Sequence, residues 1–107
     1  MNDMVRPAMY EAWMAIEPCV HRDGTGLNWD VVGPVCESGD WLGRDRELAV
    51  QAGDHLALLS AGAYGMTMAS NYNSRPRAAE LMLDGDQVHR IREREAVADL
   101  FASERLI

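Results

Sequence analysis

Residues 79–91 read AELMLDGDQVHRI, and this stretch decides the fold class. Residues 79–83 and 87–91 are apolar-rich runs on either side of Asp84-Gly85. An Asp-Gly dipeptide between two such runs is a strong short-range hairpin signal, because glycine reaches the positive φ that a tight loop needs. The spacing predicts two antiparallel strands joined near Asp84-Gly85.

Read toward the N-terminus, similar punctuation recurs. Residues 66–70 suit a single helical turn, and Gly62 and Gly65 bracket Ala63-Tyr64 where the backbone must bend or admit a close neighbour. Residues 55–61 form a mostly apolar run expected to be a buried strand, preceded by the turn Ala52-Gly53-Asp54 and an extended stretch over 47–51. Residues 37–40 read as an irregular polar loop. The apolar run 29–35 is interrupted by Gly33 and Pro34, and proline lacks the amide that a central strand ladder needs. Residues 23–26, DGTG, are turn chemistry. In residues 1–20, Pro7 can open a helical turn, whereas Tyr10, Ala12, Met14 and Ile16 alternate with Glu11, Trp13, Ala15 and Glu17 in the manner of a strand. Beyond the hairpin the period changes: Val97, Leu100, Phe101 and Ile107 can share one helical face. Strands separated by turns about every 8–12 residues predict an all-β barrel or sandwich with a short C-terminal helix.

The 107 residues suffice for one domain with a modest core. With 48% hydrophobic and 25% charged residues the composition is that of an ordinary globular protein. The net charge of −7, with no basic patch, argues against a nucleic-acid partner. No apolar run approaches the ~20 residues of a membrane span, and the N-terminus lacks signal-peptide character, so the expected location is cytoplasmic. Cys19 and Cys36 do not form a CxxC pair, and His21, His55 and His89 lack ligand spacing, so no metal site is expected. All ten basic residues are arginine; the chain contains no lysine.

Three places could carry chemistry. Cys36 adjoins Glu37 on a loop after an apolar strand, and a thiol is a competent general acid near neutral pH; the alternative is a small buried apolar residue. Tyr64 lies between glycines, where its hydroxyl could donate to an anion, or could simply end a tight turn. Arg6 and Tyr10 share one face if Pro7 opens a helix, making a grip for a carboxylate, or else a surface cation beside a core ring. Cys19 reads as core, residues 75–77 (RPR) as a solvated loop, and Met66 and Met68 as core filler.

These three places coincide with a family pattern. Residues 31–40, VVGPVCESGD, followed by WLGRDREL at 41–48, and residues 62–80, GAYGMTMASNYNSRPRAAE, resemble blocks of the pyridoxal-phosphate-dependent diaminopimelate decarboxylases. Residues 2–10, NDMVRPAMY, resemble the entry to that family's C-terminal domain, and residues 90–100 its closing strand and helix. The resemblance implies a Greek-key-like β-domain over residues 1–107. It also implies a cofactor, pyridoxal 5'-phosphate, carried by a Schiff-base lysine of an N-terminal (β/α)8 barrel that this chain lacks. It implies conversion of meso-diaminopimelate to L-lysine and CO2 by a homodimer whose sites are shared across the interface. Cys36 would be the proton donor, and Glu37 a contact for the substrate's distal ammonium. Tyr64 would touch cofactor phosphate and substrate, and Arg6 with Tyr10 would hold the distal carboxylate. Trp13 and Met14 stand where the family usually has a tyrosine–histidine pair.

Lacking lysine and barrel, the chain is expected to be part of a longer enzyme and inactive alone, with open sheet edges that promote self-association. Two other readings are a non-catalytic dimerisation or regulatory β-module, and a domain of an ornithine- or carboxynorspermidine-type decarboxylase.

Overall fold

A computed structural model describes residues 1–107. Three two-stranded antiparallel sheets and a short helix arise in the order α1 (Arg6–Tyr10), β1 (Ile16–Pro18), β2 (Leu27–Val32), β3 (Trp41–Leu48), β4 (Leu56–Leu58), β5 (Glu80–Asp84) and β6 (Gln87–Arg92). Three short 3-10 helices lie at Met66–Met68, Tyr72–Ser74 and Val97–Phe101. β1 pairs with β4, β2 with β3, and β5 with β6. The expected mainly-β class is present, but the sheets remain three separate ribbons and close no barrel. Counting strands overreached here, because closure depends on how ribbons pair with one another, which periodicity does not encode.

Locally the sequence signals act as their chemistry dictates. Pro7 stands in the first turn of α1, where its missing N–H costs nothing. The helix ends at Glu11, whose left-handed φ of 52° stops propagation. The alternation that follows has a shorter reach than its pattern suggests: Met14 and Ile16 are buried, but pairing begins only at Ile16. Of the extended run foreseen over 47–51 only Glu47 and Leu48 lie in a strand, as the end of β3, which starts at Trp41. The hairpin forms as the spacing predicts, with Gly85 at φ 61° in first position of a two-residue loop and Leu83 opposite Val88.

The core is small. Met4, Met14, Ile16 and Leu48 are its buried apolar side chains, joined by the fully buried Pro7 of α1. Each contributes about 1.5–3 kcal/mol through burial. Two joints reinforce it: Arg22 forms a two-pronged ion pair with Asp54, both N···O distances 2.6 Å, and buried Asn2 donates to the carbonyls of Ser70 and Tyr72.

Outside that core the chain is open. It exposes 8208 Å², where a compact protein of 11.9 kDa exposes about 5,900 Å². The radius of gyration, 16.1 Å, exceeds the roughly 13 Å of a compact domain this long. The hairpin shares in this openness: Leu81, Leu83, Val88 and Ile91 are all more than half exposed. The tail differs from its expected amphipathic α-helix: Val97–Phe101 is a 3-10 turn, and Val97, Phe101 and Ile107 point to solvent. Cys19, expected in the core, is exposed, because β1 ends at Pro18 and the chain turns outward. No helix is long and apolar enough to cross a membrane.

Candidate active-site surface

The Cys36–Glu37 pair sits on the loop joining β2 to β3. The Gly33 N–H donates to the Asp40 carbonyl at 2.8 Å, and the Asp40 N–H to the Glu37 carbonyl at 2.9 Å. The resulting tight loop turns the side chains of Cys36, Glu37 and Ser38 outward. Cys36 is therefore not a buried small apolar residue. A groove of about 320 Å³ runs beside it, bordered by Glu37, Ser38, Trp41 and Arg44, with the Arg44 guanidinium 4.4 Å from the Trp41 ring centroid. Neither Cys36 nor Glu37 makes a side-chain hydrogen bond within the chain, so both are free for a partner.

The second cluster forms where α1 meets the turn after β4. The helix places Arg6 and Tyr10 one turn apart, as Pro7 foretells. Arg6 then reaches the Gly62–Gly65 turn, its guanidinium carbon 4.9 Å from the centroid of the Tyr64 ring. The Nε of Arg6 is shielded from solvent and has no hydrogen-bond acceptor. Tyr64 is 54% exposed and Tyr10 60%, so both phenols face outward from the same neighbourhood.

Two glycines shape this turn differently. The Gly65 N–H donates to the Ala61 carbonyl at 2.7 Å, and a Cβ at Gly65 would lie 2.6 Å from that oxygen. Gly62 has open space around it, with nothing within 4 Å of a Cβ position. Packing explains the first glycine and not the second.

Glu95 was not singled out in the sequence, yet it braces the 71–77 segment. Its carboxylate accepts from Asn71 Nδ2 at 2.6 Å, from the Arg77 N–H at 2.7 Å and from Arg77 Nε at 2.8 Å. Those bonds, led by the Arg77 amide and then Asn71, hold its pKa below the usual carboxylate range against the cost of desolvation. Arg77 thus belongs to a bonded node and not to a solvated loop. The only sequence trace was the density of Asn and Arg in SNYNSRPR, which signals polar bonding without naming the acceptor.

The structure brings Arg6 and Tyr64 into contact and keeps Tyr10 on the same helical face as Arg6. It places Cys36 and Glu37 on a separate loop, whose groove includes none of the other three. The chain offers a thiol and carboxylate on one rim, and a cation with two phenols on another.

Residues 1–62 match the family described as pyridoxal-dependent decarboxylase, C-terminal sheet domain. The chain belongs to that family. Among curated relatives of this decarboxylase sheet domain, diaminopimelate decarboxylase of Pseudomonas aeruginosa is 53% identical over 107 residues, covering 100% of this chain and 26% of the relative. The Vibrio cholerae diaminopimelate decarboxylase is 52% identical with the same coverage. A crystal structure of diaminopimelate decarboxylase from M. jannaschii in co-complex with L-lysine superposes with a TM-score of 0.94 at 46% identity, over 100% of this chain and 25% of that one. The Helicobacter pylori enzyme complexed with L-lysine gives 0.88 at 46% identity, over 97% of this chain and 26% of that one. The sheet domain thus spans about a quarter of the length of its relatives.

Proposed function

We propose that these 107 residues are the C-terminal β-domain of a cytoplasmic diaminopimelate decarboxylase, which converts meso-2,6-diaminopimelate to L-lysine and CO2. The observation that carries the reading is the Arg6 guanidinium held 4.9 Å from the Tyr64 ring, with Tyr10 one helical turn away. A substrate with a second carboxylate offers this cation a partner, whereas ornithine does not.

The residues present suit an anionic group of a cofactor as well. Tyr64 offers a phenolic donor beside the open space at Gly62, an arrangement that accommodates a phosphate close to the backbone. Covalent attachment needs a lysine, which lies outside these residues, in the proposed (β/α)8 barrel. When bound, pyridoxal phosphate supplies the electron sink for breaking the bond to the leaving carboxylate. Arg6 and Tyr10 hold the distal carboxylate and fix the substrate's orientation. Glu37 receives the distal ammonium. The Cys36 thiol delivers its proton to the carbon that has lost CO2. The outward posture of Cys36 and Glu37 supports a homodimer in which this loop serves the partner's site. The open ribbons likewise support closure into a Greek-key-like barrel by strands from elsewhere in the enzyme.

The test is a hybrid in which this chain replaces the matching quarter of the Pseudomonas aeruginosa relative. Loaded with pyridoxal phosphate, it should release CO2 from meso-diaminopimelate and not from ornithine. Arg6→Ala in that hybrid should raise KM by about 10-fold or more, the equivalent of one charge-assisted hydrogen bond, with a smaller change in kcat. A folded, cofactor-loaded hybrid without turnover would overturn the reading in favour of a dimerisation or regulatory module.

A further inference from the structure

The loop carrying Cys36 and Glu37 is held by one side chain. We propose that Asp40 is the positioning residue for this pair, its carboxylate fixing the backbone on the near side of Cys36 and its main chain fixing the far side of Glu37. The inference rests on the reading of Cys36 as proton donor and Glu37 as substrate contact.

Four observations support it. Asp40 Oδ2 accepts the Val35 N–H at 2.7 Å, one residue before the thiol. The Asp40 N–H donates to the Glu37 carbonyl at 2.9 Å, and its own carbonyl accepts from Gly33 at 2.8 Å. The Asp40 side chain is 1% exposed, set inside the loop where a carboxylate is rarely found without purpose. Opposite it stands Gly33, where a Cβ would overlap both carboxylate oxygens. The loop therefore combines a residue that fills its interior with one that vacates the same volume.

Burial favours the neutral form of the Asp40 carboxyl, while the Val35 N–H bond and the nearby Arg75 favour its carboxylate. Cys36, Glu37 and Ser38 have no side-chain hydrogen bonds of their own, so the direction of the thiol and carboxylate follows the backbone that Asp40 holds.

An Asp40→Ala change removes the acceptor; Asp40→Asn keeps an oxygen for the Val35 N–H and should rescue. The first readout needs no cofactor. In the cofactor-free hybrid, alkylation by iodoacetamide is followed at each cysteine by peptide mass spectrometry. Asp40→Ala should accelerate the reaction at Cys36 on the order of five-fold, the equivalent of one lost hydrogen bond. Cys19 should be unaffected, and Asp40→Asn should stay within about two-fold of the parent. The second readout is a double-mutant cycle in the loaded hybrid. Asp40→Ala should lower kcat about ten-fold, and should add little once Cys36→Ala is present. Equal acceleration at both cysteines, equal loss of kcat in both backgrounds, or Asp40→Asn behaving like Asp40→Ala would each overturn the proposal. If Asp40→Ala does not fold, Gly33→Ala displaces the same carboxylate and carries the same expected pair of rates. Cys36→Ala without effect on kcat would instead defeat the proton-donor reading, leaving the alkylation result to decide the role of Asp40.

Discussion

The Gly33–Asp40 loop and the β5–β6 hairpin are two solutions to the same task of holding a short connection in shape. The loop is closed by polar bonds to one buried aspartate and keeps its chemically useful side chains outward. The hairpin is closed by strand pairing and by the Arg92–Glu80 ion pair at its open end, and it keeps apolar side chains outward. A lone two-stranded ribbon is marginal in water, and exposed leucine and valine on it favour association. The difference teaches that the loop proposed for chemistry has its backbone bonded within the chain, while the ribbon suited to assembly leaves apolar side chains uncovered.

The sharpest way to break that division is Cys36→Ala in the loaded hybrid, which should lower kcat by about 100-fold or more while cofactor absorbance stays close to the parent's. Near-normal turnover would remove the chemistry from the loop. The glycine pair beside Tyr64 tests the same division within one turn. Gly65→Ala should cost about 1–3 kcal/mol of stability, because its Cβ meets the Ala61 carbonyl. Gly62→Ala should leave stability within about 0.5 kcal/mol and weaken pyridoxal-phosphate binding instead, as titration would show. Similar effects at both positions would mean that the turn is merely structural.

On the other side of the comparison, sedimentation of the isolated chain should reveal self-association that Leu83→Glu reduces. A chain that stays monomeric at high concentration would mean that the hairpin face tolerates water. The smallest effect is expected in acid. The hydrogen bond from Arg22, then that from the Gln51 amide, lowers the Asp54 pKa to about 2, against about 3.9 unfolded. A depressed carboxylate stabilises the fold above its unfolded value and loses that contribution as pH falls toward its folded value. Asp54→Asn should therefore lower the melting temperature most above about pH 4, the difference from the parent shrinking as pH falls to about 2.

Elements governed by neighbouring residues were legible in the sequence. Asp84-Gly85 announced the hairpin, Pro7 the helix that aligns Arg6 with Tyr10, and Gly62-Ala63-Tyr64-Gly65 a sharp turn. The family blocks also pointed to Cys36, Glu37 and Tyr64 as residues worth locating. Contacts made across the chain left no such trace. The Arg6–Tyr64 approach, the Asp40–Val35 bond and the Glu95 brace each join residues whose partnership depends on how ribbons pack. The barrel expectation exceeded the structure for the same reason, and Cys19 was misread because apolar neighbours do not reveal where a strand stops.

The Glu95 brace also has a consequence for the order of synthesis. Its partners Asn71 and Arg77 are translated before the hairpin, and Glu95 after it. Pairing of β5 with β6 returns the chain so that the Glu95 N–H meets the Arg77 carbonyl at 3.2 Å. A nascent chain that has emerged only as far as the Tyr64 turn therefore lacks the clasp of the segment that follows it. That segment is completed out of sequence, after the ribosome has made the ribbon that carries its missing carboxylate home.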